Sequence, residues 1–302
     1  MAKRKKERGI EKFTRISRTV LSAITAIIRI AAYLFLFLLF LGVIGVFTPS
    51  LESGNVALIP IKGIITSTES ALIQGAQSSA ITKLIEKAEE DDDIKAIVFE
   101  IDSPGGTPVA SDEIARAVAE AKKPTVALIK ETGASGAYWI ASAADHIVAN
   151  RMSITGSIGV KASRLEFAGL IKNHNITYRR LVAGDHKDTG SIWREMTEEE
   201  REMYQQILDS LHEEFIRAVA ENRNLDIEQV RKYADGFVLT GKQALKAGLV
   251  DELGGKKEAL KYIEETLNIT AKTVAYKKKQ TLIEQLGGVG SQASYNIGKG
   301  IA

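Results

Sequence analysis

Eighteen consecutive residues, Ile30 to Phe47 (IAAYLFLFLLFLGVIGVF), carry no charge, and this run divides the chain before any other feature acts. At 1.5 Å per residue it falls just short of a hydrocarbon core of ~30 Å, and Leu21 to Ile28 extends it if Arg29 snorkels. One transmembrane anchor is therefore expected over residues 30–48, with a start as early as 21. A cleavable signal peptide would have a shorter apolar region ending in small residues, and Thr48 to Glu52 (TPSLE) offers no good cleavage site. Residues 1–29 form a basic tail: nine Lys and Arg against Glu7 and Glu11 give it +7, so in a chain of net +2 the remainder carries −5. Positive flanks stay cytoplasmic, which places the body of the chain outside the cytoplasm, with membrane lipid as one partner. The acidic body gives no reason to expect nucleic acid.

Past the anchor, short runs rich in Val and Ile alternate with helical periodicity. Val56 to Ile65, Ala96 to Asp102 and Thr125 to Lys130 read as strands buried on both faces. Between them, Ser79 to Glu89 and Ser111 to Ala121 carry apolar residues at helical spacing. That order implies an α/β domain with a mostly parallel sheet and flanking helices, over residues 55–276. Weaker signals continue it: strands at His146 to Asn150 and Ile176 to Val182, and a helix at Glu166 to His174.

Thr197 with Glu200 three residues on forms a capping-box pattern, and announces a long helix with Met203, Ile207, Leu211, Phe215 and Val219 along one stripe. Such a stripe is most often core, with a neighbouring subunit as its second use. Helices at Ile227 to Ala234 and Lys256 to Leu267 and a strand at Thr270 to Tyr276 complete the body. Residues 277–302, rich in Gly, Ser, Gln and Lys, read as a tail of marginal order.

Three loops sit at carboxyl ends of expected strands, where open α/β sheets place their sites. Asp102 to Gly106 (DSPGG) makes a turn whose backbone can approach a ligand closely. Glu131 to Trp139 (ETGASGAYW) puts Ser135 among small residues at a helix start. A serine there is usually an N-cap, but small neighbours and a following amide also suit a nucleophile with an oxyanion site. Thr155 to Val160 (TGSIGV) brings the Ser157 hydroxyl into a tight glycine turn.

The base for Ser135 stays open on residue type alone. His212 lies within the long helix as a surface or partly packed residue, and His174 ends a helix. His146 follows Asp145, but at a strand start where packing explains it equally. A lysine is a competent base only when neutral, which takes a fall of ~3 units from ~10.4 by burial. The chain has no cysteine, which removes thiol nucleophiles, disulfides and thiolate metal sites. No HExxH, clustered His and carboxylate ligands or P-loop is present, so neither metal nor cofactor is expected.

DSPGG, GASGAYW, TGSIGV and then GDHKDTGS with REMTEEE resemble, in order, the signature stretches of the SppA-type signal peptide peptidases, the protease IV family, in its short single-domain form. DGFVLTGKQALKAGLVDELGG extends the resemblance, which covers roughly residues 55 to 270. It implies a crotonase-like or Clp-like α/β fold and a Ser-Lys dyad, with Ser135 as nucleophile and Lys187 as general base. It also implies that Ser157 orients the lysine and that Gly106 and Gly136 supply oxyanion amides. Many members have two glycines after the serine; this chain has Gly136 then Ala137. The histidines match no family role. The implied substrates are signal peptides left in the membrane, and the implied partner is a second copy, since the family forms rings in which neighbouring subunits complete the groove. The other readings are a sibling protease of the stomatin-directed kind and a non-catalytic crotonase-like binding module.

Overall fold

The computed structural model describes residues 21–40, 54–67 and 75–276, within two compact units, Met1–Glu52 and Ser53–Ala302. The first unit holds α1 (Leu21–Phe40), twenty residues of mean hydropathy 2.3 with no side chain buried. At 1.5 Å per residue it is ~30 Å long, so by length and composition it can cross a membrane. It includes Arg29. The rest of the expected span to residue 48, the basic residues before 21 and the tail 277–302 lie outside the described residues.

The second unit opens with β1 (Val56–Lys62), β2 (Ile64–Thr66) and β3 (Gly75–Gln77), then α2 (Ser78–Glu90) and β4 (Ala96–Ser103). It continues with α3 (Pro108–Ala119), β5 (Thr125–Ala134), α4 (Gly136–Ser142), β6 (His146–Ala149) and β7 (Ile154–Gly156). Next come α5 (Ala168–Asn173), α6 (Glu198–Arg223), α7 (Ile227–Arg231), β8 (Val238–Thr240) and α8 (Gly241–Ala247). The last elements are β9 (Glu252–Leu253), α9 (Lys256–Leu267) and β10 (Thr273–Ala275). The main sheet runs β10-β1-β4-β5-β6-β9, and all these pairs are parallel.

Period-2 alternation explains why successive residues in the first halves of the central strands are nearly all apolar. In β4, Ile97, Phe99 and Ile101 point into a core shared with α2, α3, α4 and α6. Ala96 and Val98, with Val126, Leu128 and Val148, face Ala259 and Ile263 of α9 on the other side. Burying each large aliphatic or aromatic side chain contributes about 1.5–3 kcal/mol, so both faces select against polar residues.

Three expectations change. The run from Val56 to Ile65 is broken by Gly63 at φ 71, and β2 pairs instead with β3 in a separate small sheet. Ile176 to Val182 forms no strand: among the described residues none pairs with it, and Leu181 is 95% exposed. The apolar stripe of α6 is core only over its second half. Phe215 and Val219 are buried, whereas Ile207 is 56% exposed.

Candidate active site

β5 ends at Ala134 and α4 begins at Gly136, so Ser135 alone makes the reversal, at φ 54 and ψ −130. A side chain in that region costs on the order of 1–3 kcal/mol and persists only where its surroundings enforce it. Here they do. The Ser135 amide donates to the Gly156 carbonyl at 2.8 Å, and its own carbonyl accepts from Tyr138 N at 2.8 Å and Trp139 N at 3.0 Å. Every residue of α4 is buried; Trp139 stacks on Phe215 at 4.8 Å and the Tyr138 hydroxyl donates to Leu249 O at 2.8 Å. Burial raises the Tyr138 pKa, so this phenol stays a neutral donor. Ala137, the departure from the glycine pair, is a fully buried residue of α4 whose methyl joins the core.

The DSPGG turn abuts this junction. Ser103 Oγ donates to Gly63 O at 2.6 Å and accepts from Gly105 N at 3.1 Å, which fixes the turn as it leaves β4. Ile65 then bridges Gly106 in parallel, through Ile65 N to Gly105 O at 3.0 Å and Thr107 N to Ile65 O at 2.9 Å. A parallel bridge uses the groups on either side of the paired residue, so the Gly106 amide itself points away from β2. No side chain fits here: a Cβ on Gly106 would lie 1.9 Å from Ile65 O. A Cβ on Gly136 would meet Ser111 Oγ at 2.1 Å and lie 3.4 Å from Gly106 N, so the two glycines are neighbours. As the first residue of α4, Gly136 also has no intrahelical acceptor for its amide.

Ser135, Gly106, Gly136 and Ser157 line one cavity of ≈ 810 Å³. Ser157 arrives there because β7 pairs in parallel with the end of β5 and antiparallel with β8. It too has positive φ, 53, and is held by Ser157 N to Phe237 O at 3.0 Å and Ser157 Oγ to Gly236 O at 3.0 Å. That leaves the hydroxyl lone pairs to accept from an amine.

Lys187 is not among the cavity residues. It is exposed, in a turn over residues 184–191 where its amide donates to Gly184 O at 3.1 Å. The next residue, Asp188, is largely enclosed, and both Arg180 and Arg194 bond its carboxylate. Arg194 also pairs with Glu200 in the first turn of α6, where Thr197 and Glu200 complete the expected capping box.

Among the titratable cavity residues that the sequence does not mark as such are Lys161, His212 and Asp235. Lys161 follows the TGSIGV stretch, and His212 of α6 turns inward with Nε2 3.3 Å from Ile158 O. Proximity of Lys161 to Ser157 in sequence is the one signal for the former; the latter has none, being brought in by helix packing. His146 lies elsewhere, stacked on Tyr262 at 3.9 Å with Nε2 3.4 Å from Glu252 Oε2. Asp145 accepts from the amide and hydroxyl of Thr125 at 2.8 and 2.9 Å. Among the described residues no group of three or more His, Asp or Glu side chains is arranged to hold a metal ion.

Residues 117–270 match peptidase family S49. A Methanocaldococcus jannaschii protein named as a protease is 40% identical over 221 residues, covering 72% of this chain and 70% of its own. An Enterococcus faecium protein named as an SppA signal peptide peptidase is 35% identical over 243 residues, covering 77% and 70%. Among solved structures, a membrane-bound stomatin-specific protease superposes with a TM-score of 0.48 at 17% identity, over 76% of this chain and all of its own.

Proposed function

The chain belongs to peptidase family S49, a family of serine proteases, and from that premise we propose that it is a membrane-anchored endopeptidase with a Ser135–Lys187 dyad that removes signal peptides left in the membrane. The observation that carries the reading is the placement of Ser135: a strained strand-to-helix junction, open to a cavity, beside the Gly106 and Gly136 amides. Strain of this kind is retained where a nucleophile must be presented.

In the proposed reaction, neutral Lys187 Nζ takes the Ser135 Oγ proton as Oγ bonds the peptide carbonyl carbon. The oxyanion is held by the Gly106 and Gly136 amides. The lysinium returns its proton to the departing amine as the C–N bond breaks. Water, deprotonated by the same lysine, then bonds the acyl carbon; the C–Oγ bond breaks, and the lysinium returns its proton to Ser135 Oγ. Ser157 Oγ orients the amine.

Lys187 lies on the surface, off the cavity, so the proposal includes a second copy: the turn of one subunit meets the cavity of its neighbour, and association supplies the burial that keeps the amine neutral. The exposed apolar residues Leu165, Leu170, Leu181 and Ile207 favour such an assembly. The anchor is α1, and its basic flank would keep the N-terminus cytoplasmic and the protease unit outside.

The test uses full-length protein in detergent and a synthetic signal peptide. Ser135→Ala and Lys187→Ala should each abolish hydrolysis while the melting transition stays in place, and Ser157→Ala should lower kcat. Full activity in Lys187→Ala, with loss in His212→Ala, the histidine that lines the cavity, would replace the dyad by a histidine base.

A further inference from the structure

We propose that Arg194 is a positioning residue for Lys187: its guanidinium bolts the 184–191 turn to the first turn of α6 and thereby sets where the amine is presented. This deepens the dyad reading and rests on it.

The turn's own backbone bonds are local, Lys187 N to Gly184 O at 3.1 Å, Thr189 N to His186 O at 3.2 Å and Ser191 N to Asp188 O at 2.9 Å. The turn is exposed at Lys187, and contains Gly184 and Gly190 at φ 97 and 85, so its backbone is intrinsically permissive. Lysine adds a long flexible stem. Yet the two residues directly after Lys187 are tied down by several independent bonds. Arg194 Nε donates to Asp188 Oδ2 at 3.0 Å, and Nη2 reaches Asp188 Oδ1 at 3.2 Å and the Asp188 carbonyl at 3.3 Å. On its other side the same guanidinium holds Glu200, with Nη1 2.8 Å from Oε2 and Nη2 against Oε1. Thr189 Oγ1 donates to Glu200 Oε1 at 3.1 Å, and the Tyr204 hydroxyl donates to Thr189 O at 3.3 Å. Arg180 closes the ring, bonding Asp188 Oδ1 at 2.7 Å and Asp185 O at 2.7 Å.

Only a planar fork can bond both carboxylates at once, and a lysine in its place would keep the charge but lose that geometry. The anchor point is itself rigid, since Glu200 also accepts from Thr197 N at 3.0 Å and sits at the head of a 26-residue helix. Among the described residues every ionic link of the turn lands beside Lys187 and none on it, which leaves the amine free to act. A misplacement of ~1 Å in a catalytic group can cost a hundredfold in rate.

The clamp also stays ionised where activity is measured. Arg194 and the Thr197 amide hold Glu200 at about 2, and Arg194 and Arg180 hold Asp188 below its ordinary value. An acid limb in the rate profile near neutrality therefore reads the lysine, not the clamp.

The experiment measures kcat, KM, the acid limb of kcat/KM, melting temperature and assembly mass for the full chain and four variants. Arg194→Gln should lower kcat roughly tenfold to a hundredfold with little change in KM. Its acid limb should move to higher pH, because a poorly seated lysine holds its proton more tightly. Arg194→Lys should recover only part of kcat. Asp188→Asn, which leaves the Arg194–Glu200 pair and the helix cap in place, should shift kcat and the limb in the same directions; it decides the matter if Arg194→Gln does not fold. Folded variants with unchanged kcat overturn the proposal, as does a fall in kcat with the limb unmoved, which is what a merely structural role produces. Lys187→Ala separates the two readings. If it is inactive while Arg194→Gln and Asp188→Asn are silent, only this proposal falls; if it is fully active, the dyad falls and this proposal with it.

Discussion

The amide of Ser135 donates to the carbonyl of Gly156 at 2.8 Å, which ties the strained β5–α4 junction to the residue immediately before Ser157. Both serines have positive φ, 54 and 53, so the two hydroxyls are presented to the cavity by backbone that side chains rarely adopt. The sheet enforces this: β7 can pair with the last residues of β5 only if the chain then turns sharply at Ser157.

The strain at Ser135 should be measurable as stability. Ser135→Gly relieves it, partly offset by the greater freedom of glycine in the unfolded chain, while Ser135→Ala does not. Both variants should be inactive, but Ser135→Gly should exceed Ser135→Ala by about 1 kcal/mol, or about 2–4 °C in melting temperature. Equal melting temperatures would mean that the junction is not strained.

Gly136 is required by space, and its obstacle is one side chain. A Cβ there lies 2.1 Å from Ser111 Oγ and 3.0 Å from Ser111 Cβ, within a fully buried contact. Gly136→Ala should therefore destabilise by about 1–3 kcal/mol and lose activity. Adding Ser111→Gly removes the clash at the cost of about 0.5 kcal/mol of helix propensity in α3, so the double variant should regain folding relative to Gly136→Ala alone. A double variant no better than the single would place the obstruction elsewhere.

Much of this architecture is legible in the sequence where physics acts locally. Buried strands such as Ala96 to Ser103 announce themselves by an apolar run, here Ala96 to Phe99 with Ile101 after it, and Thr197 with Glu200 fixes the start of α6 to the residue. Elements of two or three residues, such as β7 and β9, are too short to carry a period and exist only through their ladders. The segment from Ile176 to Val182 fails in the opposite way: it has a strand's composition without a partner strand among the described residues. The site divides along the same line. Small residues around Ser135 mark a crowded turn, but the entry of His212 and Lys161 into the cavity depends on how α6 and the chain after β7 pack, which no local spacing encodes. Lys187 is reached through resemblance alone, and its exposed turn shows why spacing is silent about it.

Glu200 makes the clamp's contribution to stability pH-dependent in a defined window. Its carboxyl is held at about 2 against an ordinary value of 4.5, chiefly by Arg194, so folding favours the charged form. That stabilisation is complete above about 4.5 and is lost as pH falls through about 2. Glu200→Gln removes the ionic contact but retains a side chain competent in the capping box. The gap in melting temperature between parent and Glu200→Gln should be full at neutral pH, shrink below pH 4.5 and close near pH 2. A gap that does not vary with pH would assign the effect to packing rather than charge.

The absence of cysteine from the whole sequence permits a direct chemical test of the proposed base. Lys187→Cys introduces the one thiol in the chain, and position 187 is exposed on the single subunit, so 2-bromoethylamine applied to dissociated subunits before reassembly should convert it selectively. The thiolate displaces bromide and forms a C–S bond, giving a side chain of lysine's length that ends in a primary amine. The sulfur withdraws electron density, so this amine is less basic than lysine's. If the amine at position 187 accepts the Ser135 proton, Lys187→Cys should be inactive before alkylation and active after it, with the acid limb of kcat/KM at lower pH than in the parent. Restoration with the parent's limb would show that another group sets the profile, and no restoration in a fully alkylated, folded sample would remove Lys187 from the reaction.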